Sequence, residues 1–416
     1  DQLAQDLPPP TSFAPERPEE CLTEAEWWLW RLLTSPEGRI ETDDPAGLLA
    51  DAFPHLSRGL AAVKRRSETA FSPFDGRLAG LDPQDDPLAT AGPVMSAQRL
   101  EQLGRCPLGY FFRYLLKITL PDEARARPDL WLQPAQAGQL LHQVFHRFMS
   151  WLKDEDRPLT PAGDKGRLMA IMDGLIEEWR EQVPLPSEAV FLAQREELIQ
   201  TARIFLAEEA LCSRQSRPLF LEASVGLVAP GQAGESDDPE PVTISLPNGR
   251  KIRACGRLDR IDQSRAGERN FAVWDYKTGS ASRFDAPDPF NQGRIIQPWL
   301  YLALAEAFLQ RRLHPQAKVA SSGLFFPGLR HRGRRLSWTP EQLAAGQEIV
   351  GRLISLASTG AFAPSDDLKQ DCGICGFKSI CDLSQKAAQE KQAMLSGPDT
   401  ELLEPLRRLR GLADED

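Results

Sequence analysis

The stretch FAVWDYKTG, Phe271–Gly279, decides how the chain is read. Its first half has the apolar and aromatic content of a buried strand, yet it places an aspartate and a lysine two residues apart and then stops at a glycine. Side chains two apart on a strand share a face, so Phe271, Val273, Asp275 and Lys277 point one way while Ala272, Trp274 and Tyr276 point the other. An acid and an amine therefore emerge together at the strand's end. On an open surface such a pair contributes little; its meaning depends on what the neighbouring strands bring.

Upstream, VTISLPNGRKIRACGRLDRID (Val242–Asp262) reads as two alternating runs joined through Asn248-Gly249, a strong hairpin signal. In the second run Arg253, Cys255, Arg257 and Asp259 share a face, opposite Ile252, Ala254, Gly256 and Leu258. Asp262 would fall on the other face, where a turn or salt-bridge role is expected. If the strand of Asp259 pairs beside that of Asp275, two carboxylates converge with Lys277 close by. Hard oxygen donors meeting at a strand end suit Mg²⁺ or Mn²⁺, ions that bridge to phosphate oxygens. Such an ion lowers the pKa of a bound water and stabilises developing negative charge, and a lysine there supports the charged transition state. This is phosphodiester hydrolysis chemistry.

Farther out, PAQAGQLLHQVFHRFMSWL (Pro134–Leu152) repeats Leu141, Val144, Phe145 and Phe148 at helical spacing, with Gly138, His142, His146 and Met149 on a neighbouring face. His142 and His146 are four apart, but no H-E-x-x-H pattern accompanies them. Further helices are expected over about residues 187–211, over 292–310, and from TPEQ, where Thr339 and Gln342 match a capping box. Ser96 is set to cap a short helix and Pro107 to open the next. Helices and strands alternate, predicting an α/β core around a mixed sheet. There is no internal repeat and no G-x-x-x-x-G-K-[ST] loop, which argues against an ATPase site.

In GQLLH (Gly138–His142), GRLDRID (Gly256–Asp262), WDYKTG (Trp274–Gly279) and QPWLY (Gln297–Tyr301), in that order, the sequence resembles the PD-(D/E)XK nucleases of the RecB/AddB type. The resemblance implies a restriction-endonuclease-like core, with His142, Asp259 and Asp275 as metal ligands and Lys277 as the catalytic lysine. Gln297 and Tyr301, four apart on one helix face, would belong to the motif beside the active site. Asp275 stands where other branches of the superfamily have Glu.

DCGICGFKSICD carries Cys372, Cys375 and Cys381 within ten positions, and Cys106 precedes the whole segment. Four thiolates can close a tetrahedral Zn²⁺ site or hold a [4Fe–4S] cluster, and an array ending without a nearby fourth ligand should find it far away. The resemblance favours iron–sulfur: one subgroup has a single cysteine in a C-P context before the core, here RCPLGYFF, and a C-terminal triplet. The cluster would staple the domain's ends across more than 250 residues. Cys21, Cys212 and Cys255 fall outside the array.

The chain has 416 residues, 41% hydrophobic, seven cysteines and a formal net charge of −10, an ordinary globular composition with no uniformly basic coat for nucleic acid. The basic clusters at Val63–Glu68 and Gly328–Leu336 are expected to be solvated faces before DNA contacts. No apolar run approaches the roughly 20 residues of a membrane span and no signal segment opens the chain, so a soluble protein of the cytoplasm is expected. An initial Asp and an early run of three prolines suit a processed protein or a fragment. The expected organisation is a Pro-rich, partly helical region over 1–93 leading to a helicase portion, a nuclease domain with its iron–sulfur staple over 94–390, and a charged tail over 391–416. The function this implies is metal-dependent cleavage of DNA, single-stranded or from an end, within a helicase–nuclease of recombination and repair. Its rivals are a nuclease fold that binds DNA or a partner protein without cutting, and a zinc-stapled DNA-binding scaffold.

Overall fold

The computed structural model describes residues 17–34, 54–66, 68, 70–119, 129–229, 231–232, 234–267, 269–373, 375–381, 394–395 and 400–412. The early proline run and much of 391–416 lie outside them. The chain forms two compact units, Asp1–Ser67 and Glu68–Asp416.

In the first unit, α1 (Glu24–Thr34) starts at a capping box: Glu26 N–H donates to Thr23 Oγ1 at 3.2 Å and Thr23 N–H to Glu26 Oε2 at 2.9 Å. A second helix, α2, spans Pro54–Arg66. The division falls at 67 rather than 93 because the intervening segment packs inside the second unit. Phe71 is buried with Leu356 and Ala361, and Leu78, Leu81 and Leu88 lie against the main core.

The second unit is built on a six-stranded mixed sheet of order β2-β1-β5-β6-β7-β8. Its strands are β1 (Ser216–Val225), β2 (Asp237–Asp238), β5 (Gly256–Ser264), β6 (Asn270–Tyr276), β7 (Lys318–Phe326) and β8 (Arg334–Trp338). β5 runs antiparallel to both β1 and β6, and β6 runs parallel to β7. Alternate residues of β6 enter different cores. Phe271 and Val273 pack with α3 (Ala97–Arg105), α8 (Gln297–Arg312) and α9 (Gly346–Ser358); Trp274 and Tyr276 pack with α5 (Pro134–Glu155), α6 (Pro161–Gln182) and α7 (Glu188–Cys212). The sheet is thus sandwiched between helix layers, the α/β core expected. Between α3 and α5 lies the short α4 (Pro107–Tyr110), and Cys106 joins it to α3 as the C-cap of one and the N-cap of the other.

Three elements differ from the sequence reading. The hairpin forms, as β3 (Val242–Ser245) and β4 (Lys251–Ala254) with Asn248 and Gly249 at φ 63° and 72°, but it is a separate two-stranded sheet. Met95 bonds the backbone of Arg253 and of Cys255, and the chain turns there into the main sheet as β5. The Thr339–Gln342 box closes, yet turns follow it and α9 begins only at Gly346. The C-terminal segment is no simple charged tail: α11 (Thr400–Leu409) follows the short α10 (Lys378–Cys381) and buries Leu403 and Leu406 beside Phe71, while Arg407 and Arg408 pair with Glu404.

Candidate metal centre

Three neighbouring strands bring their acids level. The pairing Arg260–Trp274 continues by one residue to set Asp259 opposite Asp275. Between the pairs Leu221–Arg260 and Ala223–Leu258, Glu222 falls level with Asp259. The result is a row, Glu222, Asp259, Asp275, across β1, β5 and β6. Glu222 was missed from the sequence, together with its strand, and it is held at φ 50°, a conformation non-glycine residues adopt mainly where the surroundings impose it.

His142 reaches the row from α5. Its Nε2 lies 3.1 Å from the Tyr276 carbonyl, which can only accept, so Nε2 donates there and Nδ1, 3.5 Å from Asp259 Oδ2, is the nitrogen placed to ligate a cation. Ligand atoms of His142, Glu222 and Asp259 lie within 4.8 Å of one another. His146, one turn on, does not join this group. Asp275 sits beside it: Oδ1 accepts from Gln297 Nε2 at 2.8 Å, and Lys277 Nζ stands 2.6 Å from Oδ2. That contact lacks hydrogen-bond geometry, so buried Oδ2 receives no hydrogen bond. A buried carboxylate oxygen held by no hydrogen bond and only an ion pair to a partly exposed lysine, beside an imidazole nitrogen and two further carboxyl groups, fits a hard divalent cation.

The electrostatics agree. Burial, then the charge of Asp275, pushes the Asp259 carboxyl well above the usual carboxylate range, against the pull of the Tyr276 N–H at 2.8 Å. Burial likewise raises Glu222, opposed by His142 and Arg257. Carboxyls that hold protons for want of a counter-charge must release them to a cation. Mn²⁺ affinity is therefore expected to rise with pH above the ordinary carboxylate range and level off once Asp259 ionises. Calorimetric titration in buffers of different ionisation enthalpy reads the released protons; a pH-independent affinity with no release contradicts this account.

Gln297 and Tyr301 lie on the first turns of α8, packed against the start of β5. Gly256 permits that approach, since a Cβ there would stand 2.8 Å from Leu304 Cδ1 and 3.5 Å from the Tyr301 ring. Burial, with the charges of Asp275 and Asp259, raises the Tyr301 hydroxyl well above its ordinary value and keeps it a proton donor. Asp262 takes the salt-bridge role, buried against Arg260 at 2.7 Å.

The cysteines meet elsewhere. Cys106, Cys372, Cys375 and Cys381 line one cavity of about 600 Å³ that also holds Arg105 and Phe112, and no disulfide joins them. Burial pushes the Cys106 thiol up to about 12 although the Gly109 N–H donates to its sulfur. Thiols gathered from both ends of the domain around one cavity and partly desolvated fit a soft metal or cluster. Of the basic Gly328–Leu336 segment, Arg335 pairs with buried Glu209 and is structural, while Arg334 pairs with Asp285 at 2.6 Å on an exposed face.

A mixed sheet with acids in register on adjacent strands, a lysine two residues past the last and a histidine from the flanking helix defines a nuclease-type site. The chain belongs to the PD-(D/E)XK nuclease superfamily, whose family model matches residues 94–382. It is also similar to proteins named as subunits of an ATP-dependent helicase/deoxyribonuclease. It is 27% identical over 237 residues to that of Caldanaerobacter subterraneus subsp. tengcongensis, covering 56% of this chain and 19% of the relative. It is 27% identical over 242 residues to that of Symbiobacterium thermophilum, with the same coverage. It is 29% identical over 237 residues to that of Desulforudis audaxviator, covering 55% and 19%. The chain spans about a fifth of the length of these curated relatives.

Proposed function

We propose that this chain is the nuclease module of a helicase–nuclease and hydrolyses DNA phosphodiester bonds with Mg²⁺ or Mn²⁺. The observation that carries the reading is the row Glu222, Asp259, Asp275 with Lys277 beside its unbonded oxygen. His142 Nδ1 and the three carboxylates would hold the ion, which when bound supplies Lewis-acid stabilisation at the scissile phosphate and acidifies the attacking water. Lys277 orients that water and offsets charge growing on the phosphate. Gln297 fixes Asp275 Oδ1, keeping Oδ2 turned to the site. DNA contacts are expected to be dominated by backbone phosphates, with binding that weakens as salt rises.

The names of the relatives support a helicase partner, with the region before Glu68 as the connection toward it. The four cysteines are assigned to a [4Fe–4S] cluster that staples the domain. A brown protein that turns colourless, loses iron and melts at lower temperature on Cys375→Ser is the expected result; a colourless wild type containing zinc would replace the cluster by a Zn²⁺ staple. The test of function is digestion of labelled single- and double-stranded DNA, with free and blocked ends, with Mg²⁺, with Mn²⁺ and with chelator. Wild type is expected to cut only with metal and Asp259→Ala not at all, whereas DNA left intact by the wild type leaves a binding module.

A further inference from the structure

The metal centre and the cysteine cavity share a set of buried contacts that neither site explains alone. α8, whose first residue holds Asp275, begins without a side-chain cap of its own. Its free amides are taken by another helix: Glu101 Oε1 accepts from both Ile296 N–H and Gln297 N–H, each at 3.1 Å. Glu101 is buried, lies on α3 just over one turn before Cys106, and pairs through Oε2 with Arg105 at 3.4 Å. A carboxylate at a helix N-terminus stabilises it through both the amides and the dipole.

The turn leading into α8 is gripped from the same direction. Asn291, Gln292 and Gly293 are all left-handed, at φ 44°, 58° and 84°. Arg294, 3% exposed, bonds Asp371 through Nε and Nη2 at 3.0 Å each, and Asp371 immediately precedes Cys372. Arg410 joins Gly104 O at 2.7 Å and Asp366 at 2.8 Å, and also holds Gln292 O. Gly104 presses so close that a Cβ there would stand 1.8 Å from Gly293 O. The residues flanking Cys106 and Cys372 thus clamp the segment that aims Gln297 at Asp275.

We propose that Glu101 is a positioning residue of the metal centre, and that through it and the Arg294–Asp371 pair the packing of the cysteine array sets the orientation of Asp275. This rests on the metal-site reading above. Without Glu101, Ile296 and Gln297 lose their acceptor, the first turn of α8 is free to fray, and the Gln297 amide no longer fixes Asp275 Oδ1. Loss of a residue that orients a ligand's own partner is expected at the low end of the outer-shell range, about tenfold in metal affinity.

The experiment is calorimetric titration of the intact chain with Mn²⁺, a hard ion that does not favour thiolate sites, alongside the visible spectrum and metal content of the cysteine site. Glu101→Ala is expected to bind Mn²⁺ about tenfold more weakly and to lower kcat for DNA cleavage without raising KM. Glu101→Gln, whose carbonyl oxygen still accepts from both amides, is expected to stay within about threefold of wild type. Where alanine does not fold, Glu101→Asp keeps the charge but draws the oxygen back by one carbon, and the same loss is expected. Wild-type Mn²⁺ affinity in the alanine or aspartate variant overturns the proposal, as does equal weakening in Glu101→Gln. A wild type that binds no Mn²⁺ overturns the metal-site reading itself, a different result from variants that bind it as well as their parent.

Discussion

Lys277→Ala is expected to leave the protein folded and still able to bind Mn²⁺, yet to cut single-stranded DNA about 10³-fold more slowly, the loss typical when one preorganised group is removed from a developing charge. The ammonium stands 2.6 Å from Asp275 Oδ2 but is only partly buried, so it faces the substrate side as well as the acid. Its removal takes a cation from beside two buried carboxyls, one of which already holds its proton above the usual range. A divalent ion more than replaces that charge in the ground state, so binding survives while charge growing on the phosphate loses its partner. The loss should fall on kcat and leave KM nearly unchanged, because an interaction made mainly in the transition state does not hold the ground-state complex. Single-turnover cleavage with saturating Mn²⁺ measures it, and a variant cutting at the wild-type rate removes Lys277 from the chemistry.

Asp259, Asp275 and Lys277 were legible because a charge at alternating spacing in an apolar strand has only one face to take, and the pairing of β5 with β6 then forces the two acids level. The α/β class followed from the same alternation of periods. Glu222 carries the same signature, a lone acid in LFLEASV, but its strand runs on from the 25-residue α7 with no glycine or proline between to mark a boundary. The place of Gln297 came only from resemblance, since nothing local says that a helix start will face a strand end. The spacing of Cys372, Cys375 and Cys381 announced a ligand set short by one member, whereas the sequence has no signal that Asp371 and Glu101 would tie its flanks to α8. Long-range ion pairs leave no periodicity, and for the same reason the break at Cys255 was invisible: Met95, which causes it, lies 160 residues away.

Arg260→Met is expected to cost about 3–5 kcal/mol of stability, the range for removing one partner of a buried charge cluster. Arg260, 1% exposed, is sealed beside the candidate metal centre: its Nη1 lies 2.7 Å from Glu209 Oε2, its Nη2 2.7 Å from Asp262 Oδ2, and Nη1 reaches the Tyr276 hydroxyl at 3.3 Å. Methionine fills much of the volume but leaves two buried carboxylates without the cation they share. Arg335 also pairs with Glu209, its guanidinium lying over the Phe325 ring at 3.9 Å, and one arginine cannot neutralise both acids. Tyr276 gives its N–H to Asp259 and its carbonyl to His142, so loosening its phenol end should also blunt Mn²⁺ binding.

Acid separates charge from packing as the cause. Burial alone would raise the Glu209 carboxyl, but Arg260 and Arg335 outweigh it and hold it below its ordinary value of 4.5. A depressed folded-state pKa contributes stability that is complete above the unfolded value and is lost as pH falls through the folded one. Wild type should therefore lose stability on acidification below about 4.5 more steeply than Arg260→Met, where that depression is mostly gone. Adding Glu209→Leu and Asp262→Leu to Arg260→Met should recover part of the loss, since it removes both stranded acids and leaves only Arg335, at the partly exposed edge of the cluster, without its partner. Denaturant midpoints across pH for the three proteins decide it: a single variant as stable as wild type, or a triple variant no better than the single one, means that packing around Arg260 and not its charge holds Tyr276 in place.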